Sequence, residues 1–350
     1  MNVPLHPVYF DVSGLPGLSA RLAHAGKTYS AVYVLADGGI PEAVRCSFLD
    51  GLPPAHVHTV PGGETAKTFA SVQGIWEFLL HVRADRHALL VNLGGGAVCD
   101  AGGFAASTFK RGIDFVHVPS TLLSMTDASV GGKTGINTGG TKNSVGTFAM
   151  PAAVFIHVPL LHTLAPREML SGYAEMLKHG LVANASHLHQ VLHKFTRGGV
   201  PPENMIRDSV EIKSAIVGRD PHENGERKLL NFGHTVGHGL ESYLSGIPGA
   251  AVLHGEAVAA GMLAEMHVSG RALGYPETET ERFRTLLQPL TRHVRVTADM
   301  VPGIMEKIGN DKKNEGGQIG MTLLNKDGRG QWGMTAPAEW VEAAILSLVP

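Results

Sequence analysis

The amino-acid sequence predicts a fold of two parts, an α/β domain at residues 1–165 followed by an all-α domain at residues 166–350. In the first part short apolar runs alternate with amphipathic stretches, which is the pattern of a parallel sheet covered by helices. From Pro166 onward apolar residues recur at helical spacing and strand signals are few. A chain of 350 residues also exceeds the length at which a single core usually stops growing.

The first part is expected to contain buried strands joined by crossover helices. The predicted strands are Ala31–Ala36, His56–Val60, Ala88–Leu93, Asp114–Val118 and Ala153–Val158. The segment Ala66–Val82 has apolar residues at helical spacing and predicts a crossover helix, so the strands should pair in parallel. The second part is expected to contain helices at Glu168–Leu192, Pro201–Val217, Thr235–Leu244, Glu256–Leu273 and Glu281–Leu290.

Composition excludes several classes of partner. The formal net charge is −2 and there is no basic block, so nucleic acid and anionic membrane surfaces are poor partners and a small-molecule ligand is expected. Residues 143–166 carry no charged side chain, but Pro151 and Pro159 interrupt them, so no membrane span is expected. The N-terminal residues do not resemble a signal peptide. With Cys46 and Cys99 as its only cysteines, the chain is expected to be cytoplasmic and both thiols to be buried.

A glycine turn follows the predicted strand Ala88–Leu93. Gly94, Gly95 and Gly96 have no Cβ, so backbone N–H groups at the start of the next helix can approach a pyrophosphate. Cys99 stands where the dinucleotide-binding fingerprint would place its third glycine, so a tight turn without a ligand stays an alternative.

Two further segments of the first part carry groups suited to a nucleotide or another anion. Glu64 and Lys67 follow the strand His56–Val60, where they can meet a ribose and a phosphate; the alternative is a helix cap. The run Asp127–Lys142 resembles the end of a Walker A loop but fails its spacing. It is expected to be a glycine-rich loop that presents Lys133 and Lys142 to anions, or else a surface loop without a ligand.

A carboxylate and three imidazoles suggest a metal site. His234 and His238 are four residues apart and share one helix face, and His254 starts the next predicted helix. Glu175 and Lys178 share a face of an earlier helix. One carboxylate plus two imidazoles would leave positions open, as a catalytic metal requires. Spacing alone does not say which histidine is left over, and packed helical histidines remain an alternative.

Taken together, these motifs resemble the sugar phosphate cyclases and, among them, the 3-dehydroquinate synthases. The shared segments occur in the same order from Pro61 to Lys313. They are PGGETAK, GGGAVCD, GGFAASTFKRGI, VPSTLLSMTDASVGGKTGIN, GGTKN, SGYAEMLKHG, LLNFGHTVGHGLE, LHGEAVAAGM and DKKN.

The resemblance implies a Rossmann-like NAD domain and a helical domain with the active site in the cleft between them, in a homodimer. It implies a divalent metal, Zn²⁺ or alternatively Co²⁺, bound by Glu175, His234 and His254, with His238 contacting substrate and assisting proton transfer. Residues at positions that line the dinucleotide are Asp37, Glu64, Lys67, Gly95, Gly96, Asp100, Ser120, Thr121, Asp127, Lys133, Lys142 and Thr163. Those at positions around the substrate are Lys133, Asn143, Lys178, Lys213, Arg227, Asn231 and Lys312 (or Lys313), with Arg111 offered by the neighbouring subunit.

Departures from the family pattern occur at Cys99, where glycine or threonine is frequent, and at Gly39, where asparagine is common. Ser120 replaces a threonine and keeps the hydroxyl. The implied reaction converts the phosphorylated sugar acid 3-deoxy-D-arabino-heptulosonate 7-phosphate to 3-dehydroquinate and phosphate, in the shikimate pathway to aromatic amino acids. NAD is oxidant and then reductant in one cycle.

Three alternatives remain. Other cyclases of the family, of the 2-deoxy-scyllo-inosose or valiolone type, act on sugar phosphates without a carboxylate. Arg227, Lys213 and Lys133 supply positive charge for a planar anion and favour the carboxylated substrate. A metal-dependent polyol dehydrogenase also joins an NAD domain to a helical metal domain, but it needs no cluster of phosphate-binding residues. A catalytically silent NAD-binding regulator would not need metal ligands and anion-binding lysines together.

Overall fold

The computed structural model describes residues 6–10, 14–50, 52–139, 141–309 and 318–349. They form two compact units that divide between Ala165 and Pro166. The first unit is built on a parallel sheet and the second is mainly helical, so the predicted fold class is confirmed. Among the described helices, none combines the length and the apolar character that crossing a lipid bilayer would require.

The strands of the first unit are β1 (Val8–Tyr9), β2 (Val32–Asp37), β3 (Val57–Val60), β4 (Leu89–Gly94), β5 (Asp114–Pro119), β6 (Lys133–Thr138), β7 (Thr141–Phe148) and β8 (Ala153–Phe155). Its helices are α1 (Leu15–His24), α2 (Glu42–Phe48), α3 (Phe69–His81) and α4 (Gly96–Thr108). In the described part of the chain, six strands form one parallel sheet in the order β1-β8-β5-β4-β2-β3.

The central strands are apolar runs because both faces of the sheet are covered. Every residue of β4 is buried, and α3 packs Val72, Ile75 and Leu79 into the same core. Burying each such side chain contributes roughly 1.5–3 kcal/mol. Because the strands are parallel, their carboxyl ends lie at one edge of the sheet, where an open α/β sheet binds ligands.

Helix α4 lies unusually close to the strand before it. A Cβ on Gly102 would stand 2.1 Å from the Asn92 side-chain oxygen on β4. The close helix–strand contact that the dinucleotide fingerprint assigns to its third glycine is therefore made at Gly102. Cys99, at the fingerprint position, is buried, and its thiol donates to the Gly94 carbonyl oxygen. Burial raises the pKa of the Cys99 thiol well above its usual value, so the thiol is unreactive.

Three predictions for the first unit need correction. The run Asp127–Lys142 is not a single loop, because a π-helical turn at Ser124–Ala128 leads into the antiparallel hairpin β6–β7. Within β6, Thr134, Gly135 and Ile136 are buried, and the two ends of the strand are more exposed. Strand β8 ends at Phe155, before the predicted Val158, since a 3₁₀ turn follows. Cys99 is buried as expected, but Cys46 is exposed on the short helix α2.

The helices of the second unit are α5 (Pro166–Ala183), α6 (Ala185–Arg197), α7 (Glu203–Arg219), α8 (His234–Ser245), α9 (His254–Leu273), α10 (Glu277–Thr291), α11 (Val301–Gly309) and α12 (Ala338–Leu346). The predicted helix Glu168–Leu192 is two helices, because the Asn184 side chain caps α6 by accepting from the His187 N–H at 3.0 Å. This unit is also not purely helical. It contains an antiparallel hairpin of β9 (Gln318–Leu324) and β10 (Gly330–Pro337).

Candidate functional site

The second unit brings Glu175 of α5, His234 of α8 and His254 of α9 together. The Glu175 Oε1 atom lies 3.6 Å from His234 Nε2 and 3.5 Å from His254 Nε2. Donor atoms bound tetrahedrally to one zinc ion are about 3.3–3.5 Å apart, given metal–ligand bonds of about 2.0–2.2 Å. Glu175 is fully buried, where an ionised carboxylate needs a cationic partner. The donor set and its spacing therefore fit a divalent metal.

His238 offers a second way to complete a set of donors. It is one turn after His234 on α8, and the rings of His234, His238 and His254 each place a nitrogen within 4.8 Å of the other two. Unlike the other two imidazoles, His238 is exposed. Because its side chain is exposed, His238 is accessible to a bound molecule as well as to an ion.

The pKa values of His234 and His254, which are partly buried, shift in opposite directions. Burial lowers the pKa of His234 well below its usual value, and the Lys178 ammonium adds to this effect. His234 is thus neutral, which is the form that ligates a metal. Burial alone would also lower the pKa of His254, but the carboxylates of Glu241 and Glu175 raise it to about 10. A metal cation bound by His254 must displace a proton from its imidazole.

Glycine contacts between helices set the positions of the imidazoles. A Cβ on Gly261 of α9 would stand 2.0 Å from the Gly233 carbonyl oxygen, next to the start of α8. A Cβ on Gly255, beside His254, would stand 2.1 Å from the Ser171 carbonyl oxygen of α5. The three helices can approach this closely only because these side chains are absent.

A buried carboxylate also holds the first turn of α8. Glu265 of α9 accepts from the N–H groups of Gly233 at 2.7 Å and Val236 at 3.2 Å. These N–H groups belong to the helix start, which has no intrahelical acceptors for them. Gly233 has a φ of +80°, which turns the chain into the helix that carries His234.

Cationic side chains are buried in the same unit. Lys178, Lys213 and Arg227 are 1%, 6% and 4% exposed. Lys178 forms an ion pair with Glu175. Lysine and arginine are rarely buried, and the positive charge of these three side chains suits a negatively charged ligand.

The loop that carries Arg227 is organised by one carboxylate. Asp220 accepts from the N–H groups of Asn224 at 3.0 Å, Gly225 at 2.7 Å and Arg227 at 3.0 Å. Burial alone would raise the pKa of Asp220, but these N–H groups lower it, so the carboxylate is ionised. The Arg227 guanidinium donates to the Pro221 carbonyl oxygen at 2.6 Å, which fixes its direction.

Asn231 is held by the same loop. Its amide donates to Glu223 Oε1 at 2.5 Å, and Glu223 has a φ of +61°. A non-glycine residue in this conformation is strained, and such strain is common at ligand sites. Lys312 and Lys313, which were predicted to contact substrate, lie outside the described residues.

In the first unit, predicted nucleotide contacts gather at the carboxyl edge of the sheet. Asp37 ends β2 and accepts from the N–H groups of Gly39 at 2.8 Å and Gly95 at 3.3 Å. Gly62, after β3, lies so close that a Cβ there would be 2.6 Å from Asp37 Oδ1. Gly95 and Gly96 then begin α4. The result is a glycine turn at the start of α4, where backbone N–H groups can meet a pyrophosphate.

A second group of predicted residues forms one polar network in this unit. Lys67 donates to Asp100 at 2.6 Å and also to the Asn143 side-chain oxygen. Asn137 links the network, since its amide donates to Glu64 at 2.7 Å and its own oxygen accepts from the Asn143 N–H at 2.9 Å. Asn143 has a φ of +52°, so its conformation needs this support.

The other predicted residues of the first unit occupy separate places. Ser120 is buried after β5 and its N–H donates to Gly94, while Thr121 bonds the Ser124 hydroxyl at 2.8 Å. Thr163 is exposed and donates to the Leu160 carbonyl oxygen. The remaining ones are Asp127 at the π-helical turn, Lys133 and Lys142 on the hairpin, and Arg111, exposed in a segment where Lys110, Arg111 and Gly112 all have positive φ.

Sequence reasoning missed four residues that hold these groups in place: Asn137, Asp220, Glu241 and Glu265. Asp220 has a local signal, because the pair Asp220-Pro221 and the pair Asn224-Gly225 both favour turns. Glu241 is three residues after His238 on one helix, so it shares the face of the histidines. Glu265 and the bond from Asn137 to Glu64 have no such signal, since these partners are far apart in sequence.

Comparison with known proteins gives one consistent family. Residues 57–171 match the family 3-dehydroquinate synthase N-terminal, and residues 172–314 match 3-dehydroquinate synthase C-terminal. The 3-dehydroquinate synthase of Methylacidiphilum infernorum is 41% identical over 321 residues, 90% of this chain and 87% of that protein. That of Parabacteroides distasonis is 40% identical over 306 residues, 86% of each.

A solved structure resembles the fold over nearly the whole chain. It is 2-epi-5-epi-valiolone synthase from Streptomyces hygroscopicus, determined with NAD⁺ and Zn²⁺ bound. The TM-score is 0.82 at 25% identity, covering 99% of this chain and 98% of that one. Its lower identity places it further away than the two relatives above.

Proposed function

This chain belongs to the 3-dehydroquinate synthase family, and we propose that it performs the family's reaction with NAD⁺ and a divalent metal. The substrate is 3-deoxy-D-arabino-heptulosonate 7-phosphate, and the products are 3-dehydroquinate and phosphate. One observation carries the proposal: Glu175 Oε1 lies within 3.6 Å of two imidazole nitrogens, in a unit that also buries Lys213 and Arg227.

We assign the metal to Glu175, His234 and His254. Zn²⁺ is the ion that best suits one carboxylate and two imidazoles, with Co²⁺ as an alternative. When bound by these residues, the ion would supply Lewis acidity that lowers the pKa of substrate hydroxyls. Lys178, ion-paired with Glu175, orients that carboxylate.

We assign NAD⁺ to the carboxyl edge of the sheet in the first unit. The glycines there suit the pyrophosphate, and Asp37 and Glu64 suit ribose hydroxyls. When bound there, NAD⁺ would supply reversible hydride transfer, so that the reaction would involve no net oxidation. Lys67 and Asp100, paired at 2.6 Å, shape the network around it.

Side chains of the protein are assigned to transfer the proton and to stabilise the negative charge that develops. A ring ketone acidifies the neighbouring C–H, so phosphate can leave by elimination once a base takes that proton. His238 is the exposed imidazole of the cluster and is assigned to proton transfer, with an oxygen of the leaving phosphate as the alternative base. Lys178, Lys213 and Arg227 stabilise the negative charge that develops. The later ring closure needs mainly orientation, which the bound anionic groups supply.

The cationic set also supports a carboxylated substrate. A guanidinium binds a planar carboxylate through two parallel hydrogen bonds, and Arg227 is held with a fixed direction. Relatives that act on sugar phosphates without a carboxylate have no reason to keep such a group. Lys133 and Asn143 of the first unit, and Asn231, are assigned to the substrate's other polar groups.

We further propose that the protein acts as a homodimer in which Arg111 reaches the partner's substrate. Arg111 is exposed and held with a φ of +69°, next to Lys110 with a φ of +49°. Two consecutive non-glycine residues in this region are strained, which fits a segment selected to present a side chain.

The purified protein, supplied with the heptulosonate phosphate, NAD⁺ and Zn²⁺, is expected to release phosphate and form dehydroquinate in equal amounts. NADH should not accumulate, because each cycle returns the hydride. Prior removal of metal by a chelator should abolish turnover, and added Zn²⁺ or Co²⁺ should restore it.

The same assay separates the alternatives. Equal turnover of a sugar phosphate without a carboxylate would favour another cyclase. Stoichiometric NADH from a polyol would favour a dehydrogenase. Nucleotide binding without turnover of any of these substrates would favour a silent regulator.

A further inference from the structure

We propose that Glu241 is a positioning residue that fixes the tautomer and the orientation of His254 and thereby sets the affinity of the metal site. The inference rests on the proposed function, because it takes His254 as a metal ligand. It concerns Glu241, the last residue of the shared segment LLNFGHTVGHGLE, to which the family resemblance assigned no role.

The two nitrogens of His254 face two different carboxylates. Nδ1 lies 3.2 Å from Glu241 Oε2, and Nε2 lies 3.5 Å from Glu175 Oε1. Glu241 is on α8 and its side chain is only 8% exposed, so water competes little for it. The carboxylate therefore connects α8 to the first residue of α9 at the candidate metal site.

This geometry selects one form of the ring. A neutral imidazole carries one N–H, and a carboxylate can only accept. With Nδ1–H donating to Glu241, the lone pair of His254 is on Nε2, directed toward Glu175 and the ion. A carboxylate at this position also raises the basicity of the ligating nitrogen, which strengthens the metal bond.

His234 provides an internal contrast. Its Nδ1 lies 3.2 Å from the backbone carbonyl oxygen of Phe232, a neutral acceptor that belongs to its own chain segment. The same tautomer is thus selected at both histidines, but with a charged side chain only at His254. Removing Glu241 should therefore affect one ligand and leave the other unchanged.

The test measures metal binding rather than activity. Metal-free full-length protein is titrated with Zn²⁺ against a chromophoric chelator, for the wild type, Glu241→Gln and Glu241→Ala. We expect Glu241→Ala to weaken Zn²⁺ binding roughly 10–100-fold. Glu241→Gln should weaken it less, because its amide oxygen still accepts from Nδ1–H but carries no charge. Glu203→Gln, an exposed substitution on α7, should bind as the wild type does.

Nitrogen-15 NMR of the zinc-loaded protein supplies a second readout. Wild-type His254 should show Nδ1 protonated, and Glu241→Ala should show an altered or exchange-broadened Nδ1 signal, with His234 unchanged. His254→Ala identifies the resonance. Glu241→Gln keeps the size of the side chain and is read by itself if Glu241→Ala does not fold.

The outcomes distinguish a failure of the role of Glu241 from a failure of the proposed function. Unchanged Zn²⁺ affinity and an unchanged His254 signal in the folded variants would overturn the role of Glu241, while wild-type turnover would leave the proposed function standing. A wild-type protein that binds no Zn²⁺ would overturn both.

Discussion

At the scale of single residues, the buried charged groups are the ones expected to contribute most to ligand binding. Arg227 is 4% exposed, and its loop is shaped by three N–H groups donating to Asp220. The folded protein thus holds the Arg227 guanidinium in one orientation before a ligand binds. Such preorganisation lowers the entropy cost of binding, and it concentrates the recognition of an anion in one side chain.

Arg227→Ala is expected to lower kcat/KM for the carboxylated substrate by a factor of roughly 10–150. The reason is the loss of about 1.5–3 kcal/mol for a charged hydrogen bond. Arg227→Lys should recover only part of this, since an ammonium cannot form two parallel bonds to a carboxylate. Steady-state kinetics measure the effect.

Arg207, exposed on α7 and paired with Glu203, supplies the control for this experiment. Arg207→Ala should leave kcat/KM unchanged. An equal loss for a substrate without the carboxylate would contradict the assignment of Arg227 to that group.

At the scale of elements, the candidate site depends on how closely α5, α8 and α9 pack. Histidines on α8 and α9 can share one ion only if the two helix axes approach closely. Gly261 permits this, because its missing side chain leaves room for the Gly233 carbonyl oxygen. Glycine within a helix lowers its intrinsic stability, so the packing must offset that cost.

Gly261→Ala is expected to destabilise the protein by about 1–3 kcal/mol, the usual effect of forcing an extra methyl group into a packed contact. It should also weaken Zn²⁺ binding, because α8 and α9 must separate. Thermal unfolding and Zn²⁺ titration measure the two effects.

Gly74→Ala on α3 is the matched control. A Cβ there meets nothing closer than 3.8 Å, so the free energy of unfolding should stay the same or rise slightly. A Gly261→Ala variant as stable as wild type would contradict the packing argument.

At the scale of the whole molecule, buried neutral imidazoles link stability to pH. Burial lowers the pKa of His187 to about 4 and that of His117 to about 3. In the unfolded chain both take up protons near the usual pKa of about 6.5. The unfolded state therefore binds more protons below that value, and the free energy of unfolding falls as the pH drops from about 6.5 toward 4.

Acidification from about pH 7 to about pH 5 should remove about 2 kcal/mol for each of these histidines. His187→Gln is expected to lose less stability over this interval, because glutamine does not titrate and can still bond Ser209, which now lies 3.1 Å from the imidazole. Unfolding measured at both pH values tests this. His189→Gln, exposed on the same helix α6, should follow the wild type, and equal losses in all three proteins would refute the linkage.

Several features of this protein could be predicted from its sequence because each depends on spacing inside one element. Apolar runs such as Leu89–Leu93 indicate a strand that is buried on both faces, and periodic apolar residues indicate the helices. The four-residue interval places His234 and His238 on one helix face. The glycine turn after β4 likewise follows from three adjacent residues.

Only the tertiary structure decided which distant groups meet. It brought Glu175 to within 3.6 Å of His234 and His254, ended the first long helix at Asn184, and set Glu241 against His254. These contacts join residues far apart in the chain, and local periodicity carries no information about them. They depend on glycines at the helix crossings, which have no side chain, and on buried carboxylates, which need hydrogen-bond donors. Both features take effect only when the folded chain packs.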